Sequence, residues 1–380
     1  MKQSDGEIIV TEAARLMRGL PPSGLGANPK LIADLLCHHQ LGPLGSWRTG
    51  KHDAWRRYLM GDAQKKLDET VLPAKIRRHM VSIALADAMT VLHDVHPLLF
   101  KGMVLAELYP RPYLRDPGDM DVLVPREEFD RAEEALQDAG WRLQPSVHRD
   151  RPRKVAERYG FAQVYRHPVR PVILDLHRAP VDRTEPFWID PDVLYDQTTR
   201  VRFPEGVVVS SFSPEIHLAL IALHSVRHGT FRLTWSFDVH LACKKWRHEI
   251  DPGRFEDFCR RWHILRAVRT GLEVARQIFN TEWHPLEHLP LDMKTVRAAA
   301  RRSPWVVARG HVTRRGGWRR FSAMTDLMDN RARSIRYIYR TLFPERVLFQ
   351  TQDSQPPGWG QYAAGRISAI LRAVLPFRSM

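Results

Sequence analysis

The chain has 380 residues, 43% of them apolar, with 11 Trp and 15 Phe, so it has the material to bury a core; this excludes a disordered chain and leaves room for more than one lobe. Lys and Arg number 58 against 43 Asp and Glu, a formal charge of +15 that favours anionic partners such as nucleotides, nucleic acid or acidic membrane without choosing among them. Cys37, Cys243 and Cys259 have no metal-like spacing, and the start MKQSDGEIIV carries acids where a signal peptide is basic and then apolar, so a reducing cytoplasm is expected.

Residues 1–95 read as an N-terminal helical region, because KLIADLLCHHQL and PAKIRRHMVSIALADAMTVLHDV repeat apolar residues every three or four positions. The period then changes. HPLLFKG reads as a short buried strand, MVLAELY as a helix and DMDVLV as a second strand. PREEFDRAEEALQDAG has Pro125 and acids at its start and Gly140 at its end, which are helix start and stop signals. FAQVYRHP and VILDLHRAP read as further strands, giving an α/β core over residues 96–210 whose most compact part is 96–182.

SPEIHLALIALHSVRHG returns to the helical period, with Ser213 as N-cap, Pro214 in the first turn and Gly229 beyond the end. A C-terminal helical domain is expected over 211–346, then a loop and a basic amphipathic helix, GRISAILRAVL, within 347–380. The apolar run IHLALIAL at 216–223 is far shorter than the roughly twenty residues of a membrane span, so no transmembrane segment is expected. Oligomeric state is not legible in the sequence.

The chemistry concentrates in GDMDVLV at 118–124. Side chains at i and i+2 of a strand share a face, so Asp119 and Asp121 converge and call for a cation between them. Gly118 lets the chain turn into the strand, although a D-x-D beside a glycine also occurs as an exposed turn with solvated acids. Lys101 and Gly102 stand at a strand-to-helix junction, where backbone N–H groups and an ammonium meet phosphate; a solvated strand end is the plainer reading of the lysine. Asp175 interrupts the apolar strand VILDLH, where an unpaired carboxylate would be costly to bury.

The run from KGMVLAELYPRPYLRDPGDMDVLVPREEFDRAEEALQDAGW through VILDLH to SPEIHLALIALHSVRHGTFRLTWSFDV resembles the uncharacterised nucleotidyltransferase family (family 5) of the DNA polymerase β superfamily, over about residues 70–250. The resemblance implies an α+β fold: a polymerase β-like nucleotidyltransferase α/β core flanked by N-terminal and C-terminal helical regions. It implies transfer of an NMP from an NTP, ATP included, to a hydroxyl or phosphate acceptor with release of pyrophosphate. Asp119, Asp121 and Asp175 match the metal-binding carboxylates for two Mg²⁺ or Mn²⁺ ions, and Gly102 matches the glycine of the phosphate motif. The sequence departs from the superfamily at that motif, where Lys101-Gly102 replaces the usual Gly-Ser.

On this reading Lys101 and Arg115 neutralise the triphosphate, although Arg115 also reads as an ordinary surface arginine. His177, two residues after Asp175, faces the same side as a contact to phosphate or acceptor or as a structural histidine paired to an acid. His217, His224 and His228 share a helix face; His224 and His228 could chelate zinc, but no H-E-x-x-H pattern accompanies them. His224 with Arg232 and Asp238 is placed at the wall between helical lobe and core. The basic, Trp-bearing stretch 301–321 suits phosphate contact and base stacking, or is a solvated face. The acceptor is left among tRNA, a phosphorylated peptide, a saccharide precursor and a small antibiotic-like molecule. Two other functions fit a D-x-D: a sugar-nucleotide glycosyltransferase, and a non-catalytic nucleotide- or RNA-binding protein.

Overall fold

The computed structural model describes residues 3–116, 118–144, 160–183, 185–204, 206–228, 232–289, 325, 327–349 and 356–374. The described N-terminal residues form α1 (Gln3–Arg18), α2 (Pro29–His38), α3 (Gly42–Thr49), α4 (Asp53–Tyr58), α5 (Asp62–Asp68) and α6 (Val71–Val91). Helix α2 shows why these helices start where they do. The Asn28 side chain accepts the Lys30 N–H at 2.9 Å, satisfying a donor that has no intrahelical partner, and Pro29 supplies a preset φ.

A 7-stranded mixed sheet follows, in the order β3-β4-β5-β2-β1-β7-β6. Its strands are β1 (Leu98–Phe100), β2 (Met120–Leu123), β3 (Arg142–Leu143), β4 (Ala162–Arg166), β5 (Ile173–His177), β6 (Thr198–Arg202) and β7 (Val208–Phe212), with helices α7 (Gly102–Ala106) and α8 (Phe129–Asp138) between them. At its centre β2 runs antiparallel to β1 and parallel to β5, and β1 runs parallel to β7. The C-terminal part contributes α9 (Pro214–Arg227), α10 (Leu233–Lys245), α11 (Pro252–Arg261), α12 (Leu265–Phe279), α13 (Arg331–Leu342) and α14 (Trp359–Val374). The molecule is thus α+β.

Alternation along the strands sorts the core into two layers. Leu99, Met120, Val122, Leu174 and Leu176 face one way, into a core closed by α6 and α8. Leu98, Phe100, Leu123 and Phe212 face the other way, into a core that also contains Leu16 and Met17 of α1, Leu36 of α2, Phe237 of α10 and Phe279 of α12. Helices from opposite ends of the chain therefore form one layer over one face of the sheet, and Asp121, alternating with Met120 and Val122, points toward that layer.

Ser213 caps α9 as its sequence suggests, accepting the Ile216 N–H at 3.5 Å, while Gly229 lies outside the described residues. So does the stretch 301–321; GRISAILRAV falls within α14. Among the described residues no helix is long and apolar enough to cross a membrane. The three cysteines are free thiols.

The helical layer is tightest where α12 crosses α9. A Cβ on Gly271 would stand 2.5 Å from the Ala222 carbonyl oxygen, a backbone atom that cannot swing aside. Alanine is worth about 1 kcal/mol more than glycine inside a helix, yet overpacking here costs more than that, so Gly271→Ala should lower stability by roughly 1–3 kcal/mol. The shift of the urea midpoint measures it; an unchanged or higher midpoint would contradict the close approach.

Candidate active site

The parallel pairing of β2 and β5 sets Asp121 directly beside Asp175, and Leu123 beside His177. Like charges in register on neighbouring strands repel, so this arrangement requires compensation. Lys101 provides part of it: its Nζ donates to Asp121 Oδ1 at 2.7 Å. His177 Nε2 lies 3.0 Å from the same oxygen. Burial opposes ionisation of Asp121, but Lys101 and His177 outweigh it and hold the carboxyl well below the usual carboxylate range.

Among the described residues Asp175 has no such partner. Burial first, then the charges of Asp119 and Asp121, push its carboxyl up to about 7. Asp119, half-buried just ahead of β2, is raised by burial and by Asp121. The three predicted carboxylates thus act electrically on one another. Donor atoms of Asp121, Asp175 and His177 all lie within 4.8 Å of one another, and no other group of three or more His, Cys, Asp or Glu with that property occurs among the described residues. His224 and His228, the alternative zinc pair, belong to no such group.

Lys101 sits between β1 and α7 with φ 55° and ψ −123°, a conformation costly for any residue but glycine. Its backbone N–H donates to His217 Nε2 at 3.0 Å, which holds the bend. Burial, followed by the charge of Arg115, pushes His217 down to about 3, so the ring is neutral and accepts. Strain is therefore stored where the ammonium is aimed at Asp121. Lys101→Ala and Lys101→Gly both lose the ion pair, but only glycine adopts this backbone freely, so the glycine variant should be the more stable by about 1 kcal/mol. Paired urea melts decide this; equal midpoints would mean the bend carries no strain.

Gly102 is confined by its neighbours: a Cβ there would lie 3.3 Å from Arg115 Nη1 and from the Asp119 carbonyl oxygen. The first turn of α7 thus abuts the D-x-D backbone. Gly118 is different. It is exposed, and a Cβ would meet no atom within 4 Å, so the turn expected of it does not depend on the missing side chain.

Arg115 and Asp238, read from sequence as a phosphate contact and a wall residue, pair with each other. Arg115 is 8% exposed; its Nε and Nη2 donate to Asp238 at 3.0 and 2.9 Å, and its Nη1 donates to the Gly102 carbonyl at 3.0 Å. The guanidinium is committed, and through the Gly102 carbonyl it also holds the start of α7. Tyr109, which carries no sequence signal of a site residue, donates its hydroxyl to Asp238 Oδ1 at 2.9 Å. Arg232 stands at the start of α10, donating to Gln40 Oε1 at 2.8 Å with its cation 5.5 Å from the Trp235 ring. His224 lies edge-on to Trp235 at 4.8 Å and 4.5 Å from His228, so these rings form an aromatic wall. Burial, then Lys101 and His228, hold His224 neutral.

Acids side by side on neighbouring strands, one of them bonded to a lysine at a strand-to-helix bend, make a compact, partly buried charged cluster. The chain matches the family described as "Uncharacterised nucleotidyltransferase" over residues 26–280 and belongs to it. It is a nucleotidyltransferase. No curated protein and no solved structure matches the chain.

Proposed function

We propose that this enzyme is a divalent-metal-dependent nucleotidyltransferase with a polymerase β-like core, moving an NMP from an NTP to a hydroxyl or phosphate acceptor with release of pyrophosphate. The observation that carries this reading is the register of β2 and β5, which sets Asp121 and Asp175 side by side with one ammonium, that of Lys101, bonded to Asp121. Such a charge balance suits hard cations with oxygen ligands, and Asp119, Asp121 and Asp175 would hold them. When bound, these ions would make the acceptor oxygen a better nucleophile and stabilise charge on the departing pyrophosphate.

The chain's own residues supply the rest. Lys101 neutralises triphosphate charge next to the carboxylates, while Gly102, with no Cβ, lets the first turn of α7 pack closely against Arg115 and the Asp119 carbonyl. Arg115 fixes that backbone by its bond to the Gly102 carbonyl. The acceptor oxygen forms a bond to the α-phosphorus, the bond from that phosphorus to the β-phosphate oxygen breaks, and pyrophosphate leaves. Asp175, which stands beside Asp121 in the sheet, is the carboxylate assigned to receive the acceptor's proton. Trp235, His224 and Arg232 border the acceptor side.

The test is incubation with each α-labelled ribonucleoside triphosphate, Mg²⁺ or Mn²⁺, and a cell extract. Label should move to an acceptor as pyrophosphate appears, and Asp175→Asn should stop both. Transfer that survives this substitution, or sugar-nucleotide hydrolysis with no use of any NTP, would overturn the reading.

A further inference from the structure

His177 is set between two acceptors. It is 1% exposed, its Nδ1 lies 3.3 Å from the Ala179 carbonyl oxygen, and its Nε2 lies 3.0 Å from Asp121 Oδ1. A neutral imidazole carries one proton, so it donates to one of these oxygens and turns a lone pair on the other. Phe100 and Phe161 pack against the ring at 5.0 and 5.7 Å between centroids, which fixes its plane. With the proton on Nδ1 and shared with Ala179, the Nε2 lone pair faces a carboxylate. In that tautomer the contact is favourable when a cation sits against both, replacing the proton that Nε2 otherwise shares with Asp121.

Two features make a metal ion the fitting cation. Metal-binding histidines donate their remote N–H to a carbonyl or carboxylate, which sets the tautomer and aims the other nitrogen; Nδ1 and the Ala179 carbonyl have that relation. A further carboxylate, Asp175, is also in reach, since one donor atom from each of Asp121, Asp175 and His177 falls within 4.8 Å of the others. Lys101 is bonded to Asp121 but not to Asp175, leaving the latter's oxygens for a ligand role.

We propose that His177 is a nitrogen ligand of a metal ion shared with Asp121 and Asp175, and that it biases this centre toward a first-row transition ion such as Mn²⁺ over Mg²⁺. The chemistry follows from the donor set. Mg²⁺ is held by oxygen and water in near-ideal octahedral geometry, whereas imidazole nitrogen is a ligand of transition ions. The inference deepens the metal-dependent reading above and rests on it for its setting, but its test does not use nucleotide transfer.

Mn²⁺ is the probe, because it is paramagnetic. Pulsed EPR of the full-length protein loaded with Mn²⁺ should show coupling to a directly bound imidazole nitrogen, absent in His177→Gln. Competition titration should show that this variant loses roughly tenfold or more in Mn²⁺ affinity while Mg²⁺ affinity moves less than about threefold. Absence of nitrogen coupling in the wild-type protein overturns the proposal with no variant needed. Coupling that survives in His177→Gln, or an equal loss for both ions, overturns it too. A protein that shows the coupling but transfers no nucleotide would sink the proposed function and leave this centre standing; transfer without coupling would do the reverse.

Discussion

Asp175→Asn should reduce nucleotidyl transfer by roughly a thousandfold or more and, at the same time, raise the melting temperature of the metal-free protein at pH 8. The two effects have one cause. In an unfolded chain an aspartate titrates near about 3.9. In the folded protein burial, together with the charges of Asp119 and Asp121, pushes Asp175 up to about 7. Between those values the folded state binds the extra proton, so stability falls as pH rises toward 7, and above it the whole cost of an ionised Asp175 is present. A shift of that size corresponds to about 4 kcal/mol at most, and partial exposure brings the expected gain from asparagine to roughly 1–3 kcal/mol. Asparagine does not ionise, so the gain should be present at pH 8 and vanish near pH 4. Melts in chelator across this range measure it. A shift of equal size at both ends would mean that Asp175 is not held at a cost for its chemistry. Divalent ions should stabilise the wild-type protein and act weakly on the variant, because binding to the native state adds stability only where the ligands exist.

The carboxylate face was legible in the sequence because strand periodicity is strict. Asp121 in DMDVL and Asp175 in ILDLH each interrupt an apolar alternation, and the structure places both toward the same helical layer, in register. Helix α9 was equally legible from Ser213 and Pro214, whose capping chemistry is local. What failed to appear were features set by distant partners. Nothing in LLFKGM announces that Lys101 takes a positive φ, since the bend is held by His217, 116 residues on. Strand β6, TTRVR, is an exposed edge and carries little apolar patterning, and β3 is two residues long. Strand β7 did leave a signal: GVVVSSF is a β-branched run opened by Gly206, where φ is 86°. The role of His177 depends on the Ala179 carbonyl and on Asp121 across the sheet, and spacing alone places it only on the correct face.

The largest stability effect should come from Arg115 and Asp238, which belong to different layers. Arg115 precedes β2 in the sheet unit, and Asp238 lies on α10, so their fork-to-carboxylate contact ties the acid-bearing strands to the helical layer. Burial works against the charge on Arg115, but Asp238 outweighs it and raises the guanidinium pKa above its usual value. Arg115→Met leaves the Asp238 carboxylate buried with the Tyr109 hydroxyl as its one hydrogen-bond donor given by the described residues, and Asp238→Asn leaves the guanidinium without its counter-charge. Each single change should cost about 3–5 kcal/mol, because an uncompensated buried charge is what remains. The double variant Arg115→Met/Asp238→Asn removes both charges and should recover most of that loss, so a double-mutant cycle should give a coupling of several kcal/mol, where additive costs would show that the pair is not an electrostatic unit. Recovery of fold need not recover function. Arg115 Nη1 also holds the Gly102 carbonyl at 3.0 Å, so the refolded double variant should show a raised KM for the NTP as the Lys101-Gly102 bend loosens. A double variant with wild-type stability and wild-type KM would mean that the latch joins the layers without positioning the nucleotide.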